Sequence, residues 1–352
     1  MAALSVQYRP RTTRSLAIAT GKRETSSALS SPVAIERLRM ALDRFHEPVL
    51  KSEIVELFSA LPDGVVIDAT LGGAGHALAI LESAPQLRVL GIDRDPDARA
   101  EATSRLAPFG ERALVVEATF ADLDDVLEDE SAFLGDDKVV GVLMDLGVSS
   151  HQLDDSRRGF SFRVDAPLDM RMDPSTGESA ADYVSRVDAH DLARLLRQHG
   201  EGRFAGAIAK SIVERQPRTT LELSDAVERA VPMAARRRGH VATRVFQALR
   251  VAVNGEEDQL ERGLRTALDA LSIGGVLAVI SYHSGEDRVV KAFLADQQSG
   301  GCTCPPGLPC VCGAVPRVQV YKNSAQLASA AEIGRNPRAR SARLRIARKV
   351  TS

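Results

Sequence analysis

Between Val49 and Ser150 the chain alternates short apolar runs with stretches of helical spacing, and this alternation restricts the fold more than any other feature. VVIDAT, LRVLGID, ALVVEA and VVGVLMD have the length and β-branched content of strands. KSEIVELFSAL, HALAILESA, PDARAEATSRLA and FADLDDVLEDE repeat apolar residues at helical intervals. Strands separated by helices of this length predict right-handed crossovers and an open, doubly wound α/β sheet. GVLAVISYHS at 275–284 reads as a further strand, and VQVYKN and LRIARK add β structure near the C-terminus. Strand signals vanish from about 155 to 262, where ADYVSRV, HDLARLLRQHG, RFAGAIAKSIVER, TLELSDAVERAV and HVATRVFQALRVAVN predict helices. The expected organisation is an α/β domain over 45–154 and 263–352, interrupted by an inserted helical domain at 155–262. Residues 1–44, rich in Ser, Thr, Ala and Arg, read as a disordered tail, with a transit peptide as the minor reading.

A chain of 352 residues has room for a large core, and two domains are the natural expectation. No apolar run approaches the roughly 20 residues that span a bilayer, and no secretory signal is present. These features predict a cytoplasmic protein with no membrane association, and nothing indicates a stable protein partner. The net charge of -2 carries no global nucleic-acid signal, but residues 335–349 hold seven basic side chains and no acidic one. Arg236, Arg237 and Arg238 form a second cluster. Such runs are either solvated surface or the footprint of a phosphate backbone. All four cysteines, Cys302, Cys304, Cys310 and Cys312, fall in CTCPPGLPCVCG. The C-x-C pairs are tighter than usual zinc spacing, leaving a structural metal or a Pro/Gly-rich loop with reduced thiols.

Ligands of open α/β sheets bind beyond the carboxyl ends of the strands, so the residues there carry the function. The first strand ends at Asp68 and runs into Gly72, Gly73 and Gly75, a turn that lets backbone approach a ligand closely. The second ends at Asp93, placed to accept both hydroxyls of a ribose. These features fit a nicotinamide dinucleotide or S-adenosylmethionine. Asp68 beside the glycines favours the second, because a carboxylate repels pyrophosphate and welcomes a cationic methionine moiety. Phe120 in ATFADL, able to cover an adenine or to staple a helix, and Asp145 complete the set of strand ends. Beyond Asp145, the tract to Asp173 is dense in charge, Gly and Phe without clear periodicity, as functional loops are.

HEPVL at 46–50, DATLGGAGH at 68–76, GIDRDPDA at 91–98 and DLGVSSHQLDDSRRGFSFRVDAPLDMRMD at 145–173 resemble the MraW family of small-subunit ribosomal RNA cytosine-N4 methyltransferases. So do GEGRFAGAIAKSIVERQ at 200–216, HVATRVFQALRVAVN at 240–254, SYHSGEDRVVK at 281–291 and NPRARSARLR at 336–345. The resemblance covers about residues 46–349. It implies a Rossmann-like methyltransferase sheet with a helical insertion for substrate recognition. It also implies methyl transfer from S-adenosyl-L-methionine to the exocyclic N4 of a decoding-site cytosine in 16S ribosomal RNA of the small subunit. The family's cofactor contacts fall on Ala74, Gly75, His76, Asp93, Phe120, Asp145 and Gln152. This chain departs from the family pattern at Ala74 (usually Gly), Ala77 (Ser), His151 and Val241 (Pro), Gly202 (Glu), Tyr282 (Phe) and Gly285 (Leu). Ala74 asks for an ordinary backbone angle where Gly permits any.

The N4 amine is a weak nucleophile because its lone pair is delocalised into the ring, so positioning must supply much of the barrier reduction. Asp145 is the expected catalytic acceptor for that amine, or a cofactor contact only. A base must leave its stack to reach such a pocket. Arg157, Arg158, Arg163 and Arg171, with the 335–349 run, are candidate phosphate clamps or surface ion-pair partners, and Phe160 and Phe162 stack on nucleotides or anchor the loop. Thr243, Gln247, Arg250 and Asn254 form a polar stripe that predicts a buried network or site wall. His283 lines the pocket or is a satisfied structural histidine. The alternatives are a non-catalytic RNA-binding assembly factor and a nicotinamide-dependent oxidoreductase on the same fold.

Overall fold

The computed structural model describes residues 48–233, 241–305, 311–322 and 324–351, apart from the side chains of Ser150 and His151. The tail at 1–44, Arg236 to Arg238 and Cys310 lie outside the described residues. Strands β1 (Gly64–Asp68), β2 (Leu87–Asp93), β3 (Ala113–Glu117), β4 (Val139–Asp145) and β5 (Val276–Ser281) are joined by β6 (Val318–Val320), β7 (Gln326–Leu327) and β8 (Arg343–Lys349). They form one sheet in the order β3-β2-β1-β4-β5-β8-β6, with β7 also on β8. The first five run parallel, and β8 is antiparallel to β5. Strand order therefore reverses between β1 and β4, and a crevice opens at their carboxyl ends.

The central strands are continuous apolar runs because both faces of the sheet are covered: every residue of β1 and β5 is buried. On one face pack α1 (Lys51–Ser59), α2 (Gly75–Ser83) and α3 (Pro96–Leu106), through Phe58, Ile80 and Leu106. On the other lie α4 (Leu123–Asp129), α10 (Glu256–Ala270) and α11 (Ser284–Ser299), through Leu123, Leu264 and Val290. A third cluster contains no strand residue. It joins α5 (Ala180–Arg186), α6 (Ala189–Gln198), α7 (Ala205–Arg215), α8 (Thr220–Ala230) and α9 (Val241–Asn254) to Phe160, Leu168 and Met170 of the irregular tract. That tract is thus a packed segment held by its own apolar side chains. Gly159 (φ 72°) is its tightest point, since a Cβ there would sit 2.5 Å from the carbonyl oxygen of Pro167. No helix among the described residues is long and apolar enough to cross a membrane.

Candidate active site

A cavity of about 530 Å³ opens at the carboxyl ends of β1, β2 and β4, within the roughly 300–1,000 Å³ usual for small-molecule sites. Gly75, His76, Asp93, Phe120, Asp145 and Gln152 all line it. Ala74 does not. It is fully buried at the N-terminus of α2 with φ 61°, so it adopts the left-handed angle ordinarily left to Gly, contrary to the ordinary angle expected from the sequence. The loop keeps its shape through backbone bonds, the Ala74 N–H donating to the Leu71 carbonyl at 2.8 Å.

Asp93 is held by the loop it faces. Its Oδ2 accepts from the Gly72 N–H at 2.7 Å and its Oδ1 from the Asp95 N–H at 2.8 Å. Burial pushes its carboxyl up against the pull of those two donors. Phe120 packs its ring on α10, where a Cβ at Gly263 would approach it to 2.4 Å. Asp68 corrects the sequence argument. It is buried and outside the cavity lining, so its charge does not face a ligand. Burial raises its carboxyl to about 7, His76 pulling it down and Asp145 and Asp93 adding to the rise.

Asp145 sits where β4 ends. Its N–H donates to the Thr70 hydroxyl, and its Oδ1 accepts from the Tyr282 hydroxyl at 2.8 Å. Its Oδ2 lies 3.6 Å from His76 Nε2. Burial, then the Asp145 charge and hydrogen bond, raise the Tyr282 phenol well above its ordinary value, so it stays a donor. Tyr282 was not among the expected site residues, although the strand-end rule applied to β5 would have reached it. His76 is buried, and neither ring nitrogen has a hydrogen-bond partner. Buried imidazoles are ordinarily satisfied, so this one suits a polar ligand in the cavity.

Gln152 stands in the wall with its amide engaged: Nε2 donates to Asp95 Oδ2 at 2.8 Å and Oε1 accepts from the Ser149 N–H at 2.9 Å. Asp95 also takes Arg158 Nη2 at 2.9 Å, and the same guanidinium donates to the Met172 carbonyl at 2.7 Å. Arg158 is therefore a buried tie between the irregular tract and α3, and not a phosphate clamp. Arg157 and Arg171 bind Asp155 and Asp169, each at 2.7 Å. Most of the 335–349 run is likewise structural. Arg343 and Arg345 hold Asp287, Arg338 holds Asp154 at 2.6 Å, and Lys349 Nζ donates to the Leu271 carbonyl at 2.7 Å.

The polar stripe of α9 is both wall and network. Thr243, Gln247 and Arg250 line the cavity, while Asn254 is buried, donating to the Met170 carbonyl and accepting from the Met172 N–H, each at 2.8 Å. Arg250 Nη2 meets Glu256 at 2.8 Å and Glu286 at 3.5 Å. Burial works against the Glu286 charge, but His283 and Arg250 outweigh it and hold the carboxyl below its ordinary range. His283 fills both expected roles. It lines the cavity, and its Nδ1 caps α11 by accepting from the N–H groups of Gly285 and Glu286. Phe160 is buried, and Phe162 lies 5.0 Å from the Phe246 ring, so both anchor the tract while facing the cavity.

The profile of the MraW methylase family matches residues 43–350. The chain belongs to that family. Its relatives include ribosomal RNA small subunit methyltransferase H of Geobacter sulfurreducens, 49% identical over 312 residues that cover 87% of this chain and 99% of that protein. The protein of the same name from Heliobacterium modesticaldum is 47% identical over 312 residues, covering 87% and 98%. This family member is thus a methyltransferase with a Rossmann-like sheet, and its methyl donor is S-adenosyl-L-methionine. Membership removes the oxidoreductase and the non-catalytic alternatives. The cavity fits that donor: the Asp93 carboxylate, the apolar ring of Phe120 and the His76 nitrogens, which no hydrogen bond satisfies, stand around one space.

Proposed function

We propose that this methyltransferase acts on 16S ribosomal RNA of the small subunit in the cytoplasm and methylates the exocyclic N4 of a decoding-site cytosine. The observation that carries the reading is Asp145, whose Oδ1 is taken by Tyr282 while Oδ2 turns toward His76 at the cavity wall. When bound, S-adenosylmethionine supplies an activated methyl group on its sulfonium. Asp93 accepts the ribose hydroxyls, Phe120 covers the adenine, and Gly75, His76 and Gln152 border the rest, with Ala74 shaping the loop from behind.

Asp145 Oδ2 accepts a hydrogen bond from the N4 amine and fixes the direction of its lone pair. As N4 gains the methyl group it sheds a proton, and Asp145 receives it. Phe160, Phe162 and Phe246 enclose the flipped base with apolar surface that excludes water. We assign substrate recognition to the inserted helical layer over 155–262, because α9 brings Thr243 and Gln247 to the same cavity that the glycine loop lines.

The test is incubation with labelled S-adenosylmethionine and small subunits from cells lacking the enzyme, followed by nucleoside analysis. N4-methylcytosine is expected, and a labelled product of any other kind overturns the assignment.

A further inference from the structure

The segment between α11 and β6 is closed at its base before any thiol is considered. Gly300 caps α11 with φ 64°, and a Cβ there would lie 2.3 Å from the Val315 carbonyl oxygen, so the two arms run against one another. The Arg317 N–H donates to the Gln297 carbonyl at 2.9 Å across the same base. Above it the sulfurs of Cys302, Cys304 and Cys312 all lie within 4.8 Å of one another, and those of Cys302 and Cys312 are 3.6 Å apart. None of the three residues lines the active-site cavity.

We propose that Cys302, Cys304 and Cys312 form a structural zinc site that clips this segment beside the edge strand β6. Four sulfurs at about 2.3 Å from a tetrahedral zinc stand about 3.8 Å apart, so the observed spacing fits thiolates around one ion. A donor set of three thiolates selects zinc over the hard cations magnesium and calcium. The Val311 N–H points at Cys304 Sγ from 3.5 Å, a backbone donor of the kind that neutralises thiolate charge in such knuckles. Cys302 and Cys304 stand on one arm and Cys312 on the other, so the three sulfurs come together from both arms. Each thiol gives up its proton on binding, so three protons pass to solvent per ion, and the fourth zinc position takes a further donor. The segment is far too small to bury a core, so a metal clip is what gives it fixed shape.

The experiment uses full-length, tag-free protein prepared in reductant without chelator and assayed for metal by mass spectrometry. About one zinc per chain is expected, retained through dialysis and released when a mercurial thiol reagent takes over the thiolates. Cys302→Ser, Cys304→Ser and Cys312→Ser each lose the zinc while still binding S-adenosylmethionine. Asp191→Asn keeps it, which separates this site from the surface group of Asp188, His190 and the half-buried Asp191. Should a cysteine variant fail to fold, cobalt exchanged into the parent protein must give the intense thiolate charge-transfer band. Substoichiometric zinc in the parent after zinc incubation, zinc retained in the cysteine variants, or cobalt without that band overturns the proposal. So does a Cys302–Cys312 disulfide found by peptide mapping of the reduced preparation.

Discussion

At Asp145 two side chains divide one carboxylate: Tyr282 holds Oδ1, and Oδ2 faces His76 and the cavity. Asp145→Asn keeps the shape but exchanges an acceptor for a donor, so kcat should fall about a hundredfold or more with S-adenosylmethionine affinity within a few-fold. Full-rate methylation by that variant in single turnovers refutes the acceptor role. Tyr282→Phe removes only the orienting bond. A kcat loss of roughly three- to tenfold is expected, with KM for the cofactor unchanged. Asp68 makes a different prediction. A carboxyl that titrates near 7 when folded and near 4 when unfolded binds its proton more tightly in the folded chain. Stability is therefore greatest below the unfolded value and declines as pH rises toward about 7, by an amount of order 4 kcal/mol. Asp68→Asn should flatten that decline in thermal melts taken from about pH 5 to about pH 8. A melt profile parallel to that of the parent contradicts it.

Elements set how these side chains meet. Helix α10 presents Gly263 to Phe120, and a methyl group there has no room. Gly263→Ala should push the ring into the cofactor space and weaken S-adenosylmethionine binding about tenfold, read by calorimetry, since overpacking costs roughly 1–3 kcal/mol. Unchanged affinity would remove Phe120 from the cofactor wall. The parallel strands were legible in the sequence because double-sided burial writes them as unbroken apolar runs, as in VVGVLMD. Helices α10 and α11 were passed over, and a boundary drawn at 262 falls inside α10. The cause is physical: EEDQLERGLRTALDA is nearly half charged, and its narrow apolar stripe of Leu260, Leu264 and Leu268 acquires meaning only against the sheet. Arg158 shows the same limit for a single residue. Exposed and buried arginines look alike in a sequence, and the carboxylate that buries this one, Asp95, lies 63 positions away.

Among the described residues, the cations that the sequence offers to a phosphate backbone are largely engaged within the fold, by Asp287, Asp154, Asp155 and Asp169. With a net charge of -2, the protein cannot rely on broad electrostatic adhesion to RNA. The log–log dependence of subunit affinity on salt should therefore have a slope of about -2 to -3. A slope approaching the seven basic residues of 335–349 would show those pairs opening on the substrate. Long-range closure has one more effect. The buried Leu50 N–H donates to Glu332, and β8 inserts between β5 and β6 while Asn336, Arg338 and Ser341 finish the cavity wall. Part of the first wall of the pocket and its last are thus separated by nearly the whole time of synthesis. A chain still emerging from the ribosome therefore has no finished pocket until residues 336–341 have been made.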